Sequence, residues 1–378
     1  MREHGRIDVS SRDERAGVSR REFLAGTAAA GLGLAGAAAW SRRPAEAQAL
    51  AGPVNWLVWT TYVLPDVTKS FKDQFGATVN VVPFSDNPEA FTKVKLGGGK
   101  QYDIAQADAF WPVTYYESKL IEPIDFEQMS SAKSLFPEFR NFKAWQTKDG
   151  MLMYPNCWSP NVLIYNKKYV KAEPTSYEVL FDPKYKGRVA ASKGFNYGGY
   201  FLPLLLGYDP FGMDKKQLED VKKLALSKYK PNLRQFVSTS AEMVKLFVDE
   251  TIWIAVQSTP ARTFWIKSEG GPDVGWTIPK EGTTGWIDGD MLVAGAEHKA
   301  AALRYINHRA TPEHMLKLVQ KVKYPPTNRE TVELLKKQGQ EELVRAHEHR
   351  PGADADALPE LLDGDADQGG RGEDDRHL

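Results

Sequence analysis

Residues 55–105 switch repeatedly between two hydrophobic periods, and that switching leaves few folds open. Asn55-Trp56-Leu57-Val58-Trp59 is a short apolar run that reads as a strand. Val67, Phe71 and Phe75 recur at helical spacing and predict a helix over 65–75. Pro65 suits its first turn, where a missing N–H costs nothing, and Gly76 suits its C-cap. Thr78 to Phe84 alternates as a second strand, and 87–96 reads as a second helix stopped by Gly97-Gly98-Gly99. Tyr102-Asp103-Ile104-Ala105 is a third strand. Strand, helix, strand, helix, strand is the pattern of a parallel sheet with helices on its faces. Ligands gather at the carboxyl ends of such strands. Those ends carry Trp59-Thr60-Thr61-Tyr62 and Asp108-Ala109-Phe110-Trp111.

A second α/β series follows. Val162 to Asn166 is an apolar strand leaving the first lobe, and 177–189 opens a second one. Helices are expected over 214–227 and 240–249, with a strand over 251–256. Met291 to Ala294 then runs back, and helices over 297–307 and 312–322 precede Tyr324-Pro325-Pro326-Thr327-Asn328, a proline-stiffened return. Two extended crossings between lobes make a hinge with a cleft. The expected division is 50–160 plus 289–330 for lobe 1, and 161–288 plus 331–345 for lobe 2.

The two ends of the chain are of another kind. Ser19-Arg20-Arg21-Glu22-Phe23-Leu24 has the paired arginines of a twin-arginine export signal. An Ala/Gly-rich stretch and small-residue sites ending at Ala47 or Ala49 follow, so 1–49 is read as a cleaved signal peptide. A membrane anchor is the competing reading, and Ala and Gly supply little transfer energy for it. The expected location is the periplasm. Residues 346–378 hold ten Asp/Glu and no Lys, aromatic, Ile or Val. They read either as a disordered acidic tail or as a shift in reading frame near Arg345.

Without residues 1–49 the chain has 41 Lys/Arg against 43 Asp/Glu, a net charge of −2. That balance gives no reason to expect nucleic acid as a partner. Cys157 is the one cysteine, which excludes an internal disulfide and a thiolate cluster, and it reads as a small buried residue. There is no GxSxG elbow, HExxH or phosphate-binding loop, so neither enzyme chemistry nor a metal or cofactor is expected. Tyr115-Tyr116 would suit a ferric ion, but on a helix the two side chains diverge by about 100°. Pro279 to Gly295 is more informative. It passes from turn formers through Trp286-Ile287-Asp288 into a buried apolar strand. In an extended chain Trp286 and Asp288 share a side, and an indole beside a carboxylate receives an organic cation. Taken alone, a core tryptophan near a turn-capping aspartate explains the same residues.

Trp59-Thr60-Thr61-Tyr62, Tyr102-Asp103-Ile104, Asp182-Pro183-Lys184-Tyr185-Lys186-Gly187, Trp286-Ile287-Asp288 and Tyr324 to Asn328 together resemble the extracellular solute-binding proteins of ABC transporters, in particular the spermidine/putrescine-binding group. The likeness runs from Trp56 to about Asn328. It implies a two-lobe periplasmic-binding-protein fold of type II-like α/β architecture, with hinge strands and an inter-lobe ligand cleft. It implies a monomer that captures a small solute and delivers it to an ABC permease. Carried over residue by residue, the family's polyamine pocket falls on Trp59, Thr61, Tyr62, Asp108, Phe110, Tyr197, Ser238, Val256, Trp286, Asp288 and Tyr324. Thr61 stands where the family has an acid, Gly194 and Tyr197 stand at two more acidic positions, and Val256 replaces a stacking tryptophan. Asp108 stands at a loop-serine position and adds a carboxylate. With two carboxylates left, a tri-cation is poorly compensated. A diamine, a zwitterion or a quaternary amine fits the count better.

Overall fold

The computed structural model describes residue 50, residues 52–193 and residues 199–349. The export signal, Gly194, Tyr197 and the acidic tail from 350 onward lie outside the described residues. Among the described residues no helix is long and apolar enough to cross a membrane.

In chain order the strands are β1 (Val54–Val58), β2 (Val79–Pro83), β3 (Ile104–Asp108), β4 (Ile121–Glu122), the short hairpin β5 (Gln146–Thr147) and β6 (Gly150–Met151), and β7 (Tyr154–Pro160). They continue as β8 (Val162–Asn166), β9 (Val189–Ser192), β10 (Leu233–Val237), β11 (Ile254–Ser258), β12 (Val274–Thr277) and β13 (Gly285–Val293). One sheet has the order β2-β1-β3-β13-β4, with β7 paired to β13, and the other has the order β10-β9-β11-β8-β12. In the first, β1 runs parallel to β2 and β3, and β13 runs antiparallel to β3. In the second, β9, β10 and β11 are parallel and β8 is antiparallel to β11.

Each sheet builds its own core, which is what makes two lobes. The first gathers Trp56, Phe71, Ile104 and Tyr305. In the second, β8 sends Leu163 and Tyr165 to one face and Val162 and Ile164 to the other. That is strand periodicity covered by helices on both sides.

The helix Pro65–Phe75 has the predicted bounds, with Gly76 at φ 77° closing it. The second helix starts at Asn87 and is interrupted within the glycine run, as expected: Gly98 leaves helical geometry at φ 52° and ψ −157°, a conformation glycine adopts at little cost, and a last turn follows to Gln101. The expected lobe boundary at 288 falls inside one continuous strand. β13 belongs wholly to the first sheet, because Gly285 to Asp288 pair with β7 from Pro160 to Cys157. The chain therefore crosses at Asn161 and returns between Thr277 and Gly285. The crossings are tied together there. Asn161 N–H donates to Thr284 O at 2.8 Å, its Nδ2 donates to Thr284 Oγ1 at 2.9 Å, and Thr283 Oγ1 donates to Asn161 O.

Residues 331–345 also depart from expectation. Val332, Leu335, Leu343 and Val344 cluster with Val319 of the helix Pro312–Val322, which packs beside the first lobe's Thr60–Tyr62 turn. Their apolar face meets a helix of lobe 1, with Phe264 of lobe 2 at the edge. The first tail residues are not detached either. His347 is buried, its ring 5.1 Å from that of Phe136 and 5.4 Å from that of Trp158.

Under the first sheet lies a fully buried carboxylate. Asp290 pairs with Arg309 and accepts from Trp56 Nε1 at 3.1 Å and Asn156 Nδ2 at 3.0 Å. Removing one partner of such a pair strands the other charge. Asp290→Ala is expected to cost about 3–5 kcal/mol, read as a lowered denaturation midpoint. An unchanged midpoint would remove Asp290 from the stabilising framework.

Candidate functional site

A cavity of about 230 Å³ opens between the lobes beside the Asn161 crossing. Its first-lobe wall is made by Trp59, Tyr62, Asp108, Trp286, Asp288 and Tyr324, and its second-lobe wall by Ser192, Ser240, Gln257, Ser258, Thr259 and Arg262.

Three elements place the first wall. β1 ends at Val58, and the single 3₁₀ turn Thr60–Tyr62 then swings Tyr62 inward. β3 ends at Asp108. β13 is hydrogen-bonded to β3 in a register that sets Asp288 directly opposite Asp108. Cross-strand neighbours have Cβ atoms about 4.5–5.5 Å apart, and like charges there repel. Asp108 is steadied by Asn87 Nδ2 at 2.7 Å and by the Phe110 N–H at 3.1 Å. Asp288 accepts from the Tyr62 hydroxyl at 2.5 Å. Desolvation first, and the Asp108 charge with it, push the Asp288 carboxyl up to about 8 against the pull of that phenol. Burial pushes the Tyr62 phenol well up as well, and Asp288 adds to the shift. The aromatic rings form a frame around this pair. Trp286 meets Tyr324 edge-on at 4.8 Å, Tyr324 lies 6.4 Å from Tyr62, and Tyr62 lies 6.1 Å from Trp59.

The structure thus brings together Trp59, Tyr62, Asp108, Trp286, Asp288 and Tyr324. It separates four other expected residues from the cavity. Thr61 is exposed on the outer side of the turn that buries Tyr62. Val256 is fully buried in the second lobe's core, where regular pairing with Ala191 keeps it on the same face as Ile254. Ser238 is exposed with its N–H bonded to Glu242, and Ser240 takes its place in the wall. Phe110 is 46% exposed and meets Phe211 of the second lobe at 5.8 Å, away from the cavity lining. Tyr197 lies outside the described residues.

None of the six second-wall residues was among those expected from the sequence. Gln257 takes φ 53°, an uncommon backbone state that ends the regular ladder and turns Gln257, Ser258 and Thr259 into the cleft. Ser258-Thr259-Pro260 closes a parallel strand, and the strand-end rule pointed there as directly as to Asp108.

Two α/β lobes joined by paired crossings, with a small polar and aromatic cavity between them, define a two-lobe binding protein. Residues 66–346 match the bacterial extracellular solute-binding protein family, and the chain belongs to it. It is 26% identical over 277 residues to the spermidine/putrescine-binding periplasmic protein of Escherichia coli, covering 71% of this chain and 76% of that one. It is 23% identical over 295 residues to the putrescine-binding periplasmic protein of the same organism, covering 73% and 78%. Among solved structures, the spermidine/putrescine ABC transporter substrate-binding protein of Streptococcus pneumoniae has a TM-score of 0.68 at 24% identity, covering 77% of this chain and 87% of that one. The comparisons support the spermidine/putrescine-binding group as the relatives of this chain.

The raised Asp288 pKa carries a sign. Its ordinary value is 3.8 and its folded value about 8, so between those limits the folded chain holds a proton that the unfolded chain has lost. The stabilisation this brings is complete below about pH 4 and fades as pH rises towards 8. Ligand-free wild type is therefore expected to lose thermal stability relative to Asp288→Asn across that window. A difference between the two melting temperatures that does not vary with pH would contradict it.

Proposed function

We propose that this protein is the substrate-binding component of an ABC importer, exported by the twin-arginine route, that takes a small amine. The observation that carries this reading is the Asp288–Asp108 pair within its aromatic frame. Two carboxylates held opposite each other gain more from an intervening ammonium than from water, because the cation relieves their repulsion. Trp59, Tyr62, Trp286 and Tyr324 offer ring faces to the cation or its methylenes, each worth roughly 0.5–2 kcal/mol. The lobes close around the solute by bending at Asn161 and Thr283-Thr284, and the closed form is handed to the permease. The relatives' printed ligands, spermidine and putrescine, agree with the amine class.

Calorimetric titration with putrescine, spermidine, butylamine and choline tests the reading. Replacement of a charged anchor by its neutral isostere costs about 2–5 kcal/mol, so Asp288→Asn should weaken an amine by roughly 30-fold or more. Affinity unaltered by Asp288→Asn would overturn the assignment. Binding should also release a proton near pH 7, because the ammonium requires the ionised carboxylate. Titrations in buffers of different ionisation enthalpy measure that release.

A further inference from the structure

The wall facing Asp288 has the opposite polarity. Arg262 stands in the first turn of the helix Ala261–Ser268 and lines the cavity at 9% exposure. Its Nη1 donates to Ser258 Oγ at 2.9 Å and its Nη2 to Ser240 Oγ at 3.3 Å, both neutral acceptors. Its Nε–H has no partner among the described residues. No described carboxylate pairs with it, and the titratable group acting on it is the Tyr324 phenol. The other deeply buried arginine among the described residues, Arg309, is paired with Asp290.

A guanidinium removed from water with only hydroxyls for company lacks a countercharge, and none of the described residues supplies one here. A role as a strut between Ser258 and Ser240 leaves Nε–H unexplained. The first turn of the helix adds the positive end of its dipole to the same wall, its N–H groups bonding back to Thr259 and Pro260. Gln257 Oε1, also unpartnered, could accept from a polar group of a bound solute. A second ammonium brought to this wall would meet a like charge at low dielectric. An anion would meet a planar fork of donors suited to a carboxylate.

We propose that Arg262 receives an anionic group of the solute, so that the ligand is an amino acid with well-separated charges, its ammonium at Asp288 and Asp108 and its carboxylate at Arg262. This rests on the amine reading above for one end of the solute and adds the other end. Such a ligand is neutral overall and couples the lobes by opposite charges, one on each wall.

The test is calorimetric titration of the purified protein with four probes of one chain length: 4-aminobutanoate, putrescine, butylamine and butanoate. Longer ω-amino acids extend the first probe to five and six carbons. An ω-amino acid should bind at least about tenfold more tightly than the diamine of equal length. Arg262→Gln should remove that advantage, weakening the ω-amino acid at least about tenfold more than butylamine. Arg262→Lys, which keeps the charge, should recover part of it, as loss of a mere strut would not. Tighter binding of putrescine than of every ω-amino acid overturns the inference and leaves the amine reading standing. Binding of butanoate without butylamine supports the Arg262 wall and overturns the amine reading. No binding of any probe counts against both.

Discussion

The hydrogen bonds that hold β13 between β3 and β7 decide where Asp288 stands. A nine-residue strand fixed on both edges has no freedom to slip, because a shift by one residue would turn every side chain to the opposite face. Asp288 and Asp290 lie two residues apart on that strand, yet their surroundings differ completely. Asp290 has an arginine, an indole N–H and an amide, and its charge is fully compensated. Asp288 has one phenol and faces another acid. The break in β7 opposite Asp288 and Gly289 separates the two environments. One strand therefore supplies both a structural ion pair and an under-compensated carboxylate open to the cleft.

The two lobes differ in what they offer the cleft because their strands end differently. In the first lobe, β1 and β3 end in aromatic and acidic residues. In the second, β9 and β11 end in Ser192 and in Gln257-Ser258-Thr259, followed by a helix that carries Arg262. Aromatic faces and carboxylates favour cations, whereas hydroxyls, the positive end of a helix and a guanidinium favour anions. The crossing at Asn161 joins these surfaces through three hydrogen bonds among Asn161, Thr283 and Thr284. A solute touching both walls thus biases the lobes towards closure only to the extent that it complements both.

Much of the first wall was legible in the sequence because its residues sit at regular strand ends. Trp59 and Asp108 follow apolar runs, and Trp286 and Asp288 keep strand alternation. The second wall was not, for a local reason. β11 departs from regular pairing with β8 after Ala255, and Gln257 adopts a left-handed backbone that no alternation rule anticipates. The family resemblance put Val256 in the cleft, whereas strand alternation keeps it in the core with Ile254, and Gln257 and Ser258 line the cleft instead. A similar displacement of two positions exchanged Ser238 for Ser240, because Ser238 lies before the N-cap Thr239 and its N–H turns to Glu242. The lobe boundary failed at 288 because the apolar run begins at Met291, whereas pairing begins at Gly285 among polar residues. Hydrophobicity marks where a strand is buried and says less about where its ladder starts.

Loss of acids from the family pattern first suggests a weaker polyamine site, but charge balance across the whole cavity leads further. Thr61 points outward, so an acid there would not reach the cavity wall in this geometry. Val256 is core, so a larger ring there would have to enter packed space. Neither position simply lacks a ligand contact; each has been taken out of the cleft by backbone geometry. What remains is an acidic pole at Asp288 on the first lobe and a basic pole at Arg262 on the second, neither ion-paired among the described residues. Both poles are costly while the cleft is empty, and one solute with separated opposite charges relieves both at once. A polyamine relieves one and aggravates the other.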